Sequence, residues 1–218
     1  MNGIHQPELD RFSAECMRDI LRRHHPDLAL LHLTAYDSIC HEFGRGSAEA
    51  IAALGDLDRS LGNVLEVIDP KTIVIIFSDH AQLNVHTQLD LNTLLQPGED
   101  AYFQDMDGVT MFRAGTLSPE EIETIQNKAL ALEGVNRLLT PRELTESGFE
   151  GLAAFGLAAK EGWCFRSLGP EKATHGYPTD YPNYGTFMAV SEPWEKPQTN
   201  SILEVTKAAA QILELDMN

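Results

Sequence analysis

The chain has 218 residues, 43% of them hydrophobic, which is enough to bury a sizeable core and is ordinary for a globular protein. A formal charge of −17 weighs against binding a nucleic-acid backbone, which needs clustered Lys and Arg, although bound divalent cations would reverse that field locally. Cys16, Cys40 and Cys164 are widely separated and form no CxxC pair, so neither a disulfide framework nor a thiolate metal site is expected, and a reducing, cytoplasmic compartment fits the thiols. No stretch approaches the length of a membrane span, and the N-terminal MNGIHQPELDRF lacks the apolar core of a signal peptide, so no membrane partner is expected.

In chain order, residues 8–24 place Leu9, Phe12, Cys16, Ile20 and Leu21 at helical spacing, and His25-Pro26 stops the helix. LALLHLT (28–34) is a short, continuously apolar run of the kind that a strand buried on both faces requires. A second helix is expected from about Ser47 to Val67, and TIVIIFS (72–78) reads as a second buried strand. This βαβ order predicts an α/β fold with a mainly parallel sheet flanked by helices, in which ligands bind beyond the carboxyl ends of the strands.

Between Val85 and Leu168 the runs shorten to GVTMFRAG, VNRLLT and GWCFRSL, separated by Gly, Pro and polar turns, which suggests a smaller mixed α+β subdomain. Its helix lies at SPEEIETIQNKALAL, with Ser118 as cap and Glu121 completing a capping box. GTFMAVSE then reads as a strand and SILEVTKAAAQILEL as an amphipathic helix. The expected organisation is a core part over 1–84, the smaller subdomain over 85–170, and a return to the core over 171–218.

Acidic and imidazole side chains cluster just after the apolar runs. Asp37 and His41 are spaced to share one face of a helical turn, Asp79-His80 closes the TIVIIFS run, and His175 stands in THGYPTDYP beside Gly176 and Tyr177. Each alone reads more readily as a turn-capping or turn-forming Asp or a solvated His than as a ligand. Together, at the mouths of successive elements, they favour a metal site, with Tyr177 and His86 as candidate lining residues. His5, His24 and His25 have weaker context, and His32, inside the 28–34 run, reads as a satisfied core histidine. Tyr102, Phe103, Trp163 and Phe165 offer an aromatic wall or, the preferred reading, core packing.

The stretches from Asp27 to Leu65, TIVIIFSDHAQ and THGYPTDYPNYGTFMAV resemble the C-terminal half of the type I phosphodiesterase and nucleotide pyrophosphatase family, within the alkaline phosphatase superfamily. The match lies in an Asp followed four residues later by His and then Gly, a strand ending in Ser-Asp-His, and a late His-Gly-Tyr. The resemblance implies that Asp37, His41 and His175 hold one zinc-like ion while Asp79 and His80 hold a second, with manganese as an alternative metal. It further implies two divalent ions in the full-length protein, one in this chain, and a phosphate-ester substrate, nucleotide-like among the options.

The family also places an Asp ligand and a Ser or Thr nucleophile upstream of anything in this chain. The expectation is therefore a C-terminal fragment with its N-terminal core part missing, weakly active or inactive alone, and able to dimerise through an exposed sheet edge. Ser38, Ser78 and Thr174 lie near the proposed ligands but not in a nucleophile context, and Ala81 stands where the family usually has Gly. A catalytically silent metal-binding or assembly module, a phosphomutase and a sulfatase-like hydrolase stay open as alternatives.

Overall fold

A computed structural model describes residues 6–166, 171–191 and 201–215; His5 and the last residues of the GWCFRSL and GTFMAVSE runs lie outside them. In chain order the elements begin with α1 (Gln6–His24), α2 (Ala35–Phe43), α3 (Ala48–Leu65), β1 (Ile75–Phe77), β2 (Leu83–Asn84), β3 (Thr87–Leu89), α4 (Leu91–Leu95) and β4 (Tyr102–Met106). They continue with β5 (Val109–Arg113), α5 (Pro119–Leu130), β6 (Val135–Leu138), α6 (Pro141–Glu146), β7 (Phe155–Ala159), β8 (Trp163–Phe165), β9 (Ala173–Thr174), β10 (Met188–Val190) and α7 (Leu203–Ile212). Two compact units result, one of Met1–Ser38, Ile51–Asp79 and Thr186–Asn218, the other of Ile39–Ala50 and His80–Gly185. None of the described helices is long and apolar enough to cross a membrane.

In the first unit, α1 buries Ala14 and Met17 against Val64 of α3, with Leu21 and Leu31 packed at the margin. His25 takes a left-handed backbone (φ 45°) and, with Pro26 behind it, ends the helix where the sequence indicates. Asp10 of α1 is buried, and its two carboxylate oxygens accept from the backbone N–H groups of Thr34 (3.0 Å) and Ala35 (2.8 Å). These are the donors that the start of α2 leaves without an intrahelical partner. Thr34 adds a hydroxyl bond to Gln6 at 2.9 Å.

The strand expected over 28–34 does not form. The segment joins no ladder, Leu28 and Leu30 are exposed, Leu30 at 80%, and His32 is exposed rather than buried as a core histidine. The second expected strand survives only as β1, which pairs antiparallel with β10 in the register Ile75↔Val190, Ile76↔Ala189, Phe77↔Met188. An apolar run becomes a buried strand only when neighbours on both edges take its N–H and C=O groups. Among the described residues β1 and β10 pair with each other alone, and parallel pairing is confined to β3 and β8.

The second unit holds the larger core. Its main sheet is antiparallel in the order β4-β5-β7-β6, consistent with the short runs read between 85 and 168. Phe103, Phe112 and Phe155 pack together on it, the Phe112 and Phe155 rings stacked 4.8 Å apart and Phe103 tilted against Phe112, and Phe165 is buried with them. Helix α5 starts with the expected reciprocal cap: Glu121 N–H donates to Ser118 Oγ (3.4 Å) and Ser118 N–H donates to Glu121 Oε2 (2.8 Å). Helix α6 repeats the device with Thr140 and Glu143, and Arg137 grips the Glu143 carboxylate with two bonds of 2.7 and 2.8 Å.

Two expected outcomes follow from these contacts. Asp10→Ala strands the buried N–H of Ala35 and the part-buried N–H of Thr34, so chemical denaturation should show a loss of about 1–3 kcal/mol, with Asp10→Asn, which keeps one acceptor oxygen, losing less. The Arg137 bonds hold the Glu143 carboxyl down at about 2, against 4.5 for the free group. The stabilisation is therefore complete above pH 4.5 and is lost as pH falls toward 2. Because the pair is 26–30% exposed, Glu143→Gln should cost on the order of 1 kcal/mol at neutral pH. That difference should vanish in unfolding curves recorded near pH 2.

Candidate metal centre

Helix α2 carries Asp37 and His41 one turn apart on one face. It ends at Gly44, whose left-handed backbone (φ 92°) is the usual way out of a helix, with Gly44 N–H donating to Cys40 O at 2.8 Å. The His41 carbonyl, one of those the last turn leaves open, accepts from Lys172 N–H at 2.7 Å. Just beyond, Asn84 of β2 brackets Arg45: its Oδ1 accepts from Arg45 N–H (2.7 Å) and its Nδ2 donates to Arg45 O (3.2 Å). Strand β2 pairs with β9, Leu83 against Thr174 and Asn84 against Ala173, and the next residue after β9 is His175. A helix end and a two-residue ladder thus deliver His41 and His175 to the same place.

The His41 and His175 rings meet edge to face at 5.2 Å, and His80 stacks on His175 at 3.9 Å. Because α2 is one unbroken helix, Asp37 is placed by the same element as His41. One ligand atom from each of Asp37, His41 and His175 lies within 4.8 Å of the others, and all three residues are half-buried. Gly176 (φ 80°) turns the chain after His175, where a Cβ would sit 2.5 Å from Met106 O, so only glycine fits; its N–H donates to the Tyr184 hydroxyl at 2.8 Å. Asp79 lies on the exposed bend between β1 and His80.

The two candidate lining residues have other partners. Tyr177 is buried, its hydroxyl donates to Trp163 O at 2.7 Å, and burial pushes its phenol well above the ordinary range. His86 contacts the Trp163 ring edge to face and shares a hydrogen bond with Thr87 Oγ1 at 2.9 Å. Phe103 and Phe165 are core residues, Trp163 packs against the same core, and Tyr102 is half exposed. Ala81 is half-buried against this core without a left-handed backbone, so the turn tolerates it in place of glycine.

The donor set fits a zinc-type ion. Two imidazoles and a carboxylate are borderline ligands of the right kind, and a tetrahedral ion with bonds of about 2.0–2.2 Å needs its donors roughly 3.4 Å apart, a short contraction from the observed spacing. Sequence reasoning did not find Glu171, Arg166 and Asp107. Glu171 lies 3.0 Å from His41 Nδ1, and Arg166 bridges Glu171 (2.9 Å) and Asp107 (3.0 Å). In so acidic a chain, a Glu four residues before His175 carries no distinguishing signal.

Among solved structures, the chain is similar to phosphonoacetate hydrolase from Sinorhizobium meliloti 1021 in complex with phosphonoformate, at TM-score 0.66 and 15% identity, covering 91% of this chain and 53% of that one. It is also similar to murine ectonucleotide pyrophosphatase/phosphodiesterase 5, at TM-score 0.73 and 15% identity, covering 94% and 59%. The human counterpart gives TM-score 0.72 and 14% identity, covering 93% and 58%. These likenesses show the alkaline-phosphatase-like α/β fold expected from the sequence, and the chain spans little more than half the length of each of these proteins. A comparison with curated proteins finds no match. A family model matches residues 2–178, a span that contains α2, the Asp79-His80 pair and His175, and so the chain belongs to the type I phosphodiesterase / nucleotide pyrophosphatase family.

Proposed function

We propose that this chain carries the metal-holding part of a phosphodiesterase- or pyrophosphatase-like hydrolase of phosphate esters. The observation that supports it most is the convergence of Asp37, His41 and His175 within 4.8 Å, inside the span matched to the family. In this reading those three residues hold one zinc-like ion, and Asp79 with His80 contributes to a second. An ion there, when bound, supplies Lewis-acid stabilisation of the charge that develops on a transferring phosphoryl group. The chain's own part is geometric and electrostatic. Helix α2 sets the separation of Asp37 and His41, the β2–β9 ladder sets His175, and the stacked His80 ring limits how far His175 can turn. No nucleophile is assigned to this chain, and the substrate proposed is a phosphate-ester small molecule.

The test is metal content. After zinc loading and removal of loose metal, elemental analysis of the 218-residue chain should give about one ion per chain, and an Asp37→Ala, His175→Ala double variant should give none. Zinc content unaffected by the double variant would overturn the assignment.

A further inference from the structure

Resting on the reading that Asp37, His41 and His175 hold an ion, we propose that Glu171 is a positioning residue of that centre, fixing the tautomer and ring orientation of His41 while Arg166 and Asp107 brace it in turn. The Glu171 Oε2 atom lies 3.0 Å from His41 Nδ1. An ionised carboxylate has no proton to give, so Nδ1 is the donor and the lone pair of the neutral ring sits on Nε2, the nitrogen left to a metal. The other oxygen, Oε1, lies 2.9 Å from Arg166 Nη2, and Arg166 Nη1 lies 3.0 Å from Asp107 Oδ1.

Backbone bonds fix the same residues independently. Lys172 N–H donates to His41 O (2.7 Å), Arg166 N–H to Leu89 O (3.1 Å), and Phe165 N–H to Asp107 O (2.7 Å). The side chains are only 18–30% exposed, Glu171 the least, so little conformational freedom remains to be lost when the ring is held. Glu171 is not among the three residues whose ligand atoms converge, which separates its role from theirs. A carboxylate on the far nitrogen of a ligating histidine orients the ring and raises its basicity, and losing such a partner typically costs about 10–100-fold in metal affinity.

The experiment compares the chain with Glu171→Ala and Glu171→Gln by zinc titration against a chromophoric chelator, and by nitrogen-15 NMR of the His41 imidazole in the metal-free proteins. Glu171→Ala should weaken zinc by about 10–100-fold at unchanged stoichiometry and replace the Nδ1-protonated ring by a mixture of tautomers. Glu171→Gln, whose amide oxygen still accepts from Nδ1–H, should fall between, and it keeps the test valid should the alanine variant fold poorly. Equal zinc affinity in all three with one unchanged tautomer would overturn the inference and leave the metal centre standing. Loss of the ion's stoichiometry in a folded Glu171→Gln protein would make Glu171 a ligand and overturn the positioning role. Failure of the unaltered chain to take up zinc, with the tautomer still responding to Glu171, would overturn the metal centre and the inference that depends on it.

Discussion

A nine-residue helix is too short to persist on its own in water, yet the centre depends on α2 keeping Asp37 and His41 in phase. The buried carboxylate of Asp10 supplies what the helix lacks at its start: two charge-assisted acceptors for the N–H groups of Thr34 and Ala35, beside the positive end of the helix dipole. Placing a carboxylate in the interior is costly unless it is satisfied, and the pair of N–H groups is what satisfies this one. The helix is thus built around an interaction with α1, and the register of its single functional face follows from where that anchor sits.

The C-terminal turn of α2 is held by different means. The His41 carbonyl is closed by Lys172 N–H, the chain leaves through left-handed Gly44, and Arg45 is bracketed by Asn84. The Lys172 contact brings Glu171 with it, because a backbone bond at one residue fixes the neighbour within reach of the His41 ring. Backbone and side chain therefore act on the same histidine from the same segment, and that segment runs directly into β9 and His175. Two imidazoles that converge on one point are placed by a single continuous stretch of chain and its partners.

Much of this was legible in the sequence, for physical reasons that differ by element. Helices α1, α3 and α5 announced themselves because periodicity and caps are local properties: Ser118 and Glu121 make their reciprocal bonds within one turn, whatever surrounds them. The spacing of Asp37 and His41 was legible for the same reason. The run at 28–34 misled because a strand is a property of its partners, and no described strand pairs with it. Strand β7, FGLAA, was not singled out, since Gly and Ala carry little strand signal even though all five residues are buried. The contact between His41 and Glu171 spans 130 residues, and no local pattern encodes a pair so far apart.

The charge around these residues bears on how the centre must work. Burial pushes the Cys164 thiol up to about 12, and the nearby carboxylates of Asp107 and Glu171 push further in the same direction, with Arg166 opposing them. Those carboxylates contribute to a negative local field, in a chain whose formal charge is −17. Such a field draws in divalent cations and repels phosphate esters. A cation bound there would reverse the field locally. The acidity that weighs against a nucleic-acid backbone is, at this centre, what makes a cation site favourable.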